Sequence, residues 1–184
     1  MTRVLVTGFE PFGGAARNTS QVVAEGLGGV VLPVSFARAA EALRAAVRAA
    51  DPEVVVCFGQ ADRDVVSVER FAHNLDCAES EDNDGAVSAR EIDPDGPVAY
   101  RSTLPVDELV VSLLGAGIPA QASRDAGGFL CNHVFYVLMR LLEQTRPGTV
   151  GGFVHVPAEG LAPERLVEAG RVIVATCAPL GSTS

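Results

Sequence analysis

Three residues of this sequence could together activate a nucleophile. Cys131 stands in "GGFLCNHVFY", after two glycines and at the start of an apolar run, His155 stands in "FVHVP", and Glu69 stands in "SVERF". A thiol in the first turn of a helix lies near unpaired backbone N–H groups, which favour a thiolate and can hold a developing oxyanion. A cysteine nucleophile, a histidine base and a carboxylate that orients the imidazole form an activated constellation.

Each of these residues also has a purely structural interpretation. Free cysteine is among the most buried residue types, so Cys131 could belong to the core. His155 could be a hydrogen-bonded core residue, and His133 and His73 compete with it for the role of base. Glu69 either faces solvent or is buried with a partner, because an unpaired buried carboxylate is costly. These residues come from different elements, so whether they meet depends on the fold.

The elements that must position these residues alternate between strand and helix patterns. Apolar, β-branched runs predict strands at 3–9, 30–36, 52–59, 64–74, 118–123 and 150–157. Apolar positions at helical spacing predict helices at 19–27, 37–50, 104–117, 130–143 and 163–178. We therefore expect one α/β domain over residues 1–184, with a mostly parallel, twisted sheet flanked by helices on both faces. The acidic, turn-rich stretch 75–97 is predicted to be a long surface loop.

Composition excludes several classes of partner. The 184 residues carry 14 Lys and Arg against 23 Asp and Glu, a net charge of −9, without a basic cluster, so we expect neither nucleic acid nor a membrane as partner. No run of apolar residues is long enough for a signal peptide or a membrane span, which favours the cytoplasm. The cysteines lack a C-x-x-C pair, and Cys131 and His133 diverge by about 200° on a helix. We assign no metal and no cofactor.

Several blocks of the sequence resemble one family when taken together. They are "VLVTGFEPFGG" at 4–14, "SVERFAHN" at 67–74, "GIPAQAS" with "AGGFLCNHVFY" at 117–136, and "GGFVHVP" at 151–157. In this order and spacing they resemble the pyroglutamyl peptidase I family of cysteine peptidases. The resemblance implies a phosphorylase/hydrolase-like α/β fold, a homo-oligomer (tetramer or dimer), and hydrolysis of the amide bond after an N-terminal pyroglutamyl residue of peptides.

The resemblance also implies roles for particular residues. Cys131 matches the nucleophile, His155 the general base and acid, and Glu69 the group that orients the imidazole. The matching substrate-binding residues are an apolar set, Phe9, Phe12, Phe129 and Leu130, and two amides, Asn18 and Gln60. Pyroglutamate is a neutral lactam with an apolar ring, so aromatic walls and amide side chains can bind it without any charge. A peptide with an ordinary N-terminus would have to bury an unpaired ammonium there.

The sequence departs from the family pattern at two places. Members commonly have "DARIPDN" where this chain has "DCAESEDN", so Glu79 and Ser80 replace Arg and an apolar residue, and Arg124 stands where Asn is common. We expect Ser80 to remove an apolar wall from the pocket, and Glu79 and Arg124 to form an ion pair at its rim. Two alternatives follow: a thiol hydrolase of another lactam or N-blocked amino-acid amide, or a catalytically silent homologue that binds pyroglutamyl peptides.

Overall fold

The computed structural model describes residues 2–182, so residue 1 and residues 183–184 of the predicted domain lie outside it. The strands are β1 Val4–Phe9, β2 Val30–Leu32, β3 Val54–Ala61, β4 Val66–Glu69, β5 Phe71–His73, β6 Ala99–Arg101, β7 Ala120–Ser123 and β8 Val150–Pro157. The α-helices are α1 Thr19–Gly26, α2 Ala39–Ala50, α3 Val106–Gly115, α4 Leu130–Thr145 and α5 Pro163–Cys177, and a 3₁₀ helix spans Ala178–Ser182.

A six-stranded sheet with the order β2-β1-β3-β8-β4-β7 forms the centre of the domain. β1, β2, β3 and β8 are parallel, whereas β4 runs antiparallel to β8 and pairs in parallel with the edge strand β7. β5 and β6 form a separate antiparallel pair. The prediction of a mostly parallel α/β sheet is therefore confirmed.

Helices cover both faces of this sheet, as predicted. The alternation of side chains along β3 shows why: Val55 and Cys57 belong to the core under α2 and α4, while Val54, Val56 and Phe58 belong to the core under α1, α3 and α5. Strands buried on both faces need apolar residues at every position, which explains the unbroken run "VVVCF". The face on which a strand side chain lies therefore decides whether it packs under α2 and α4 or under α1, α3 and α5.

The elements between residues 64 and 101 differ in detail from the sequence prediction. The extended run 64–74 divides after Glu69, where β4 ends in the large sheet and β5 begins in the small one. β6 was not predicted, because its three residues are only partly buried and their strand conformation depends on pairing with β5. Residues 75–97 contain no helix or strand, as expected for a long loop.

Candidate active site

Strand periodicity directs Glu69 and His155 to the same face of the sheet. β4 and β8 are antiparallel neighbours with Ser67 opposite His155, so Glu69 is the diagonal neighbour of His155. The Nδ1 atom of His155 lies 2.7 Å from Oε1 of Glu69. Both side chains are buried, Glu69 completely. Because an ionised carboxylate only accepts hydrogen bonds, Nδ1 is the donor, which leaves Nε2 of a neutral imidazole as an acceptor.

Cys131 reaches the same face from the first turn of α4. Gly59 on β3 is the strand neighbour of His155, and a Cβ atom on Gly59 would lie 2.6 Å from Sγ of Cys131. The thiol therefore lies directly over the strand position beside His155. The N-cap residue of α4, Phe129, has an extended backbone and forms no capping hydrogen bond with its side chain. The amide groups of this first turn are thus left without a side-chain acceptor.

Burial determines the resting protonation of the thiol. The pKa of Cys131 is raised to about 12, mainly by burial and in part by the negative charge of Glu69, while the positive charge of Arg63 acts in the opposite direction. Burial also raises the pKa of Cys57, which lies on β3 two residues before Gly59, to about 12. The resting site accordingly contains a neutral thiol beside an imidazole, and proton transfer to that imidazole is the step that would generate a thiolate.

A cavity of about 220 Å³ opens over these residues. It is lined mainly by apolar side chains and by the glycine loop before α4. All the residues that were predicted to contact a substrate line it, together with Cys131 and His155. The full lining is Phe9, Phe12, Asn18, Val34, Gln60, Ala61, Arg63, Ala126, Gly127, Gly128, Phe129, Leu130, Cys131 and His155.

Two aromatic side chains form one wall of this cavity. The rings of Phe12 and Phe129 lie 5.9 Å apart, and Phe36 contacts Phe129 edge-on from behind at 5.5 Å. Such tilted and edge contacts are favoured by the ring quadrupoles and hold the aromatic side chains in place. The wall is therefore preformed rather than assembled around a ligand.

The two amide side chains of the cavity are fixed by the start of α1. Asn18 is the N-cap: its Oδ1 accepts hydrogen bonds from the amide and hydroxyl of Ser20, and its Nδ2 donates to the Glu10 carbonyl. Oε1 of Gln60 accepts from the amide and hydroxyl of Thr19. Because the oxygens of both amides are occupied, the N–H groups are the polar atoms left to meet a ligand.

The competing histidines lie elsewhere. Nδ1 of His133 lies 3.1 Å from both carboxylate oxygens of Asp76, which also accepts from the Ser88 hydroxyl, so His133 joins α4 to the long loop. His73 is exposed, and its Nε2 lies 3.5 Å from the Arg124 carbonyl. Neither residue lines the cavity, so His155 is the histidine that shares it with Cys131.

Sequence reasoning missed Arg63. Its Nη1 donates to Oε1 of Glu69 at 2.8 Å, and its Nη2 donates to the Asp125 carbonyl at 2.7 Å. A signal was available, because a carboxylate on an apolar strand needs compensation, and Arg63, six residues before Glu69, is one of the two arginines close to it in sequence, the other being Arg70. Val34 and Ala126 also line the cavity: Val34 belongs to the predicted strand 30–36 but lies beyond the end of β2, and Ala126 lies in the loop before α4.

Two expectations about the departures from the family pattern are wrong. Among the ion pairs of residues 2–182, none joins Glu79 to Arg124, and both side chains are exposed. Ser80 is also exposed and does not line the cavity, so its side chain removes no wall. The segment contacts the site through its backbone instead: the Cys77 amide donates to the Gly128 carbonyl at 2.8 Å.

Within residues 2–182, no three His, Cys, Asp or Glu side chains are grouped so that they could hold a metal ion. In the same range, no helix has the length and apolar character needed to cross a membrane. All four cysteines are free thiols, of which Cys77 is exposed.

The fold and the cavity together define an α/β protein with a thiol, an imidazole and a carboxylate at one end of its sheet. The family model described as pyroglutamyl peptidase matches residues 2–172, so the chain belongs to the pyroglutamyl peptidase family, a family of cysteine peptidases. The pyrrolidone-carboxylate peptidase of Streptomyces coelicolor is 46% identical over 178 residues, which cover 90% of this chain and 81% of that protein. The protein of the same name from Gloeobacter violaceus is 46% identical over 167 residues, 84% of this chain and 81% of its own.

Solved structures agree with this assignment. Pyroglutamyl peptidase I from Bacillus amyloliquefaciens superposes with a TM-score of 0.92 at 34% identity, over 96% of this chain and 95% of that one. The pyrrolidone carboxyl peptidase of Thermococcus litoralis gives a TM-score of 0.92 at 32% identity, over 96% of this chain and 93% of that one. The predicted family, peptidase class and fold are therefore confirmed.

Proposed function

We propose that this member of the family removes N-terminal pyroglutamyl residues from peptides, with Cys131 as nucleophile, His155 as general base and acid, and Glu69 orienting the imidazole. The observation that carries the proposal is the convergence of Cys131 and His155 on one preformed apolar cavity. A volume of about 220 Å³ suits a small ring, and the carboxylate behind His155 leaves Nε2 as the base.

In the proposed mechanism, His155 Nε2 takes the Cys131 proton as Sγ attacks the pyroglutamyl carbonyl. Glu69 Oε1 stabilises the imidazolium that forms. The uncapped amides at the start of α4 stabilise the oxyanion. His155 then returns the proton to the leaving amine, and water hydrolyses the thioester with the same residue as base. No step requires a metal or a cofactor.

Recognition in this proposal depends on the neutrality of the ring. Phe9, Phe12, Phe129 and Leu130 provide apolar contact, and the N–H groups of Asn18 and Gln60 can donate to the lactam carbonyl. A prolyl residue has a ring of the same size but carries a secondary ammonium where pyroglutamate has the neutral lactam amide. That cation would be buried against apolar walls, so the prolyl analogue should be rejected.

The test is release of a fluorescent amine from a pyroglutamyl amide, with the prolyl amide as the control substrate. We expect turnover of the first only, loss of turnover in Cys131→Ser and His155→Ala, and retention in Cys77→Ser, a matched change at an exposed thiol. Turnover by folded Cys131→Ser at the wild-type rate would refute the assignment of the nucleophile. Hydrolysis of another lactam amide alone would favour the alternative substrate, and binding without hydrolysis would favour a silent homologue.

The proposal extends to assembly and location. Val111 and Leu114, one turn apart on α3, are 69% and 53% exposed, an apolar surface that a second copy would cover in a homo-oligomer. Sedimentation of the wild type against Val111→Glu should show a larger particle for the former, and identical monomers would refute this role. The free thiols favour a reducing compartment such as the cytoplasm, which fractionation of producing cells would test.

A further inference from the structure

Arg63 joins three parts of the site that come from separate segments of the chain. It stands in the turn between β3 and β4, its Nη1 donates to Glu69 on β4, and its Nη2 donates to the Asp125 carbonyl in the loop that leads to α4. Its side chain is 26% exposed and lines the cavity beside Cys131. An arginine with two hydrogen bonds at 2.8 and 2.7 Å holds a defined geometry, because its planar guanidinium fixes the directions of both donors.

The hydrogen bonds around Glu69 converge on a single atom. Oε1 accepts from both Arg63 and His155, at 2.8 and 2.7 Å. Among the described residues no hydrogen-bond partner meets Oε2, although the carboxylate is completely buried. The arginine is thus the permanent cation that compensates this buried charge, whereas the imidazole carries a charge only when protonated.

We propose that Arg63 is a positioning residue of the active site: it fixes the Glu69 carboxylate beside His155 and connects the loop before Cys131 to the same carboxylate. The inference rests on the proposed function for its effect on turnover, but its geometry does not depend on the substrate. Asp125 extends this connection to the glycine loop, because its own carboxylate accepts a hydrogen bond from the Gly127 amide at 2.8 Å. One side chain thereby couples the orienting carboxylate to the glycine loop.

The charge of Arg63 also acts on the nucleophile. Besides His155, three titratable groups act on Cys131: Glu69 and Cys57 raise the pKa of its thiol, and Arg63 lowers it. Removal of Arg63 would leave the negative charge of Glu69 opposed only by His155. Thiolate formation would become less favourable, and the imidazolium would be held more strongly.

The test uses Arg63→Met and Arg63→Lys in a Cys77→Ala background, so that Cys131 is the accessible thiol. Iodoacetamide alkylation is followed from about pH 6 to 9 beside hydrolysis of the pyroglutamyl amide. For Arg63→Met we expect the alkylation of Cys131 to be slower by about tenfold, which is the scale expected when one charge is removed from a partly buried site. Both limbs of the pH profile of kcat/KM should move to higher pH. Arg63→Lys keeps the charge and should recover most of the alkylation rate.

Arg70→Met is the matched control, because Arg70 follows Glu69 directly but pairs with the exposed Asp107. It should leave both pH profiles unchanged. In a Glu69→Gln background, Arg63→Met should lose most of its effect on kcat/KM, since the group through which it acts is neutral.

The alkylation profile separates the two proposals, because it needs no substrate. Absence of pyroglutamyl hydrolysis by the wild type would refute the proposed function and leave the role of Arg63 open to the alkylation result. Equal alkylation profiles for wild type and folded Arg63→Met, or an undiminished effect in the Glu69→Gln background, would overturn the inference. If Arg63→Met fails to fold, Arg63→Lys decides: wild-type alkylation supports the charge role, and a tenfold loss refutes it.

Discussion

Gly59 provides the sharpest single test of the site geometry, because its hydrogen atom leaves the space that the thiol occupies. A Cβ atom at this position would lie 2.6 Å from Sγ of Cys131 and 2.7 Å from Cζ of Phe153. Ordinary contacts between heavy atoms are about 3.5–4.0 Å, so Gly59→Ala must displace the thiol, the ring or the strand by about 1 Å. The clash should lower the free energy of unfolding by about 1–3 kcal/mol, as overpacking of a core generally does.

The effect on catalysis should exceed the effect on stability. A displacement of about 1 Å at a reacting atom can reduce turnover by roughly 10²-fold, equivalent to about 2.7 kcal/mol of transition-state stabilisation. We expect Gly59→Ala to lose activity on that scale at temperatures where chemical denaturation shows it to be folded. kcat should fall more than KM rises, because the cavity walls formed by Phe12 and Phe129 remain in place.

Gly151→Ala is the matched control. Gly151 lies on β8, and a Cβ atom there would lie 2.4 Å from Cδ1 of Leu142, the end of a flexible side chain on α4. This variant should lose a comparable free energy of unfolding and keep its kcat. If folded Gly59→Ala retained kcat/KM within about twofold of the wild type, the position of the thiol over Gly59 would be refuted as a requirement for catalysis.

The remaining predictions concern a surface ion pair, a helix cap and a buried hydrogen bond. Arg38 binds Asp84 through two hydrogen bonds and, together with Ser35, lowers the pKa of the Asp84 carboxyl to about 2. The stability advantage of wild type over Asp84→Asn should therefore be complete above about pH 4 and vanish as the pH falls through about 2. Urea denaturation measures this difference, and a difference independent of pH would contradict the prediction. Asn18→Ala removes the N-cap of α1 and a cavity amide, so unfolding should become easier by about 1 kcal/mol and KM for the pyroglutamyl amide should rise; an unchanged KM would argue against substrate contact. Asp76→Ala leaves His133 and the Ser88 hydroxyl without their buried acceptor and should lower the free energy of unfolding by about 1–3 kcal/mol in thermal denaturation, whereas a loss below about 0.5 kcal/mol would show that these hydrogen bonds contribute little.

The sequence predicts the central part of the fold better than its edges, for physical reasons. β3 and β8 are covered on both faces, so each consists mainly of apolar residues and glycine, a pattern that is visible without any partner strand. β6 is short and partly exposed, and pairing with β5 alone makes it a strand. The antiparallel direction of β4 against β8 depends on the path of the connecting segments, which residue patterns do not encode.

The same distinction applies to the site. The sequence indicated that Glu69, if buried, would need a partner, and in the structure the buried carboxylate has two, His155 and Arg63. The roles of Cys131, His155 and Glu69 stay predictions until they are tested by substitution. The expected ion pair between Glu79 and Arg124 rested on their opposite charges alone, and opposite charges do not indicate how far apart two exposed side chains lie.

The long loop shows why the departures in "DCAESEDN" are compatible with an intact cavity. The loop is attached to the site by groups that these changes spare: the Cys77 amide donates to the Gly128 carbonyl, and Asp76 pairs with His133 on α4. Gly128 itself leaves no room for a side chain, because a Cβ atom there would lie 2.6 Å from the Cys77 carbonyl oxygen. Since backbone contacts are independent of side-chain identity, Glu79 and Ser80 can vary on the exposed surface while the loop keeps its position. Selection for the pyroglutamyl ring must then come from the cavity walls rather than from this segment.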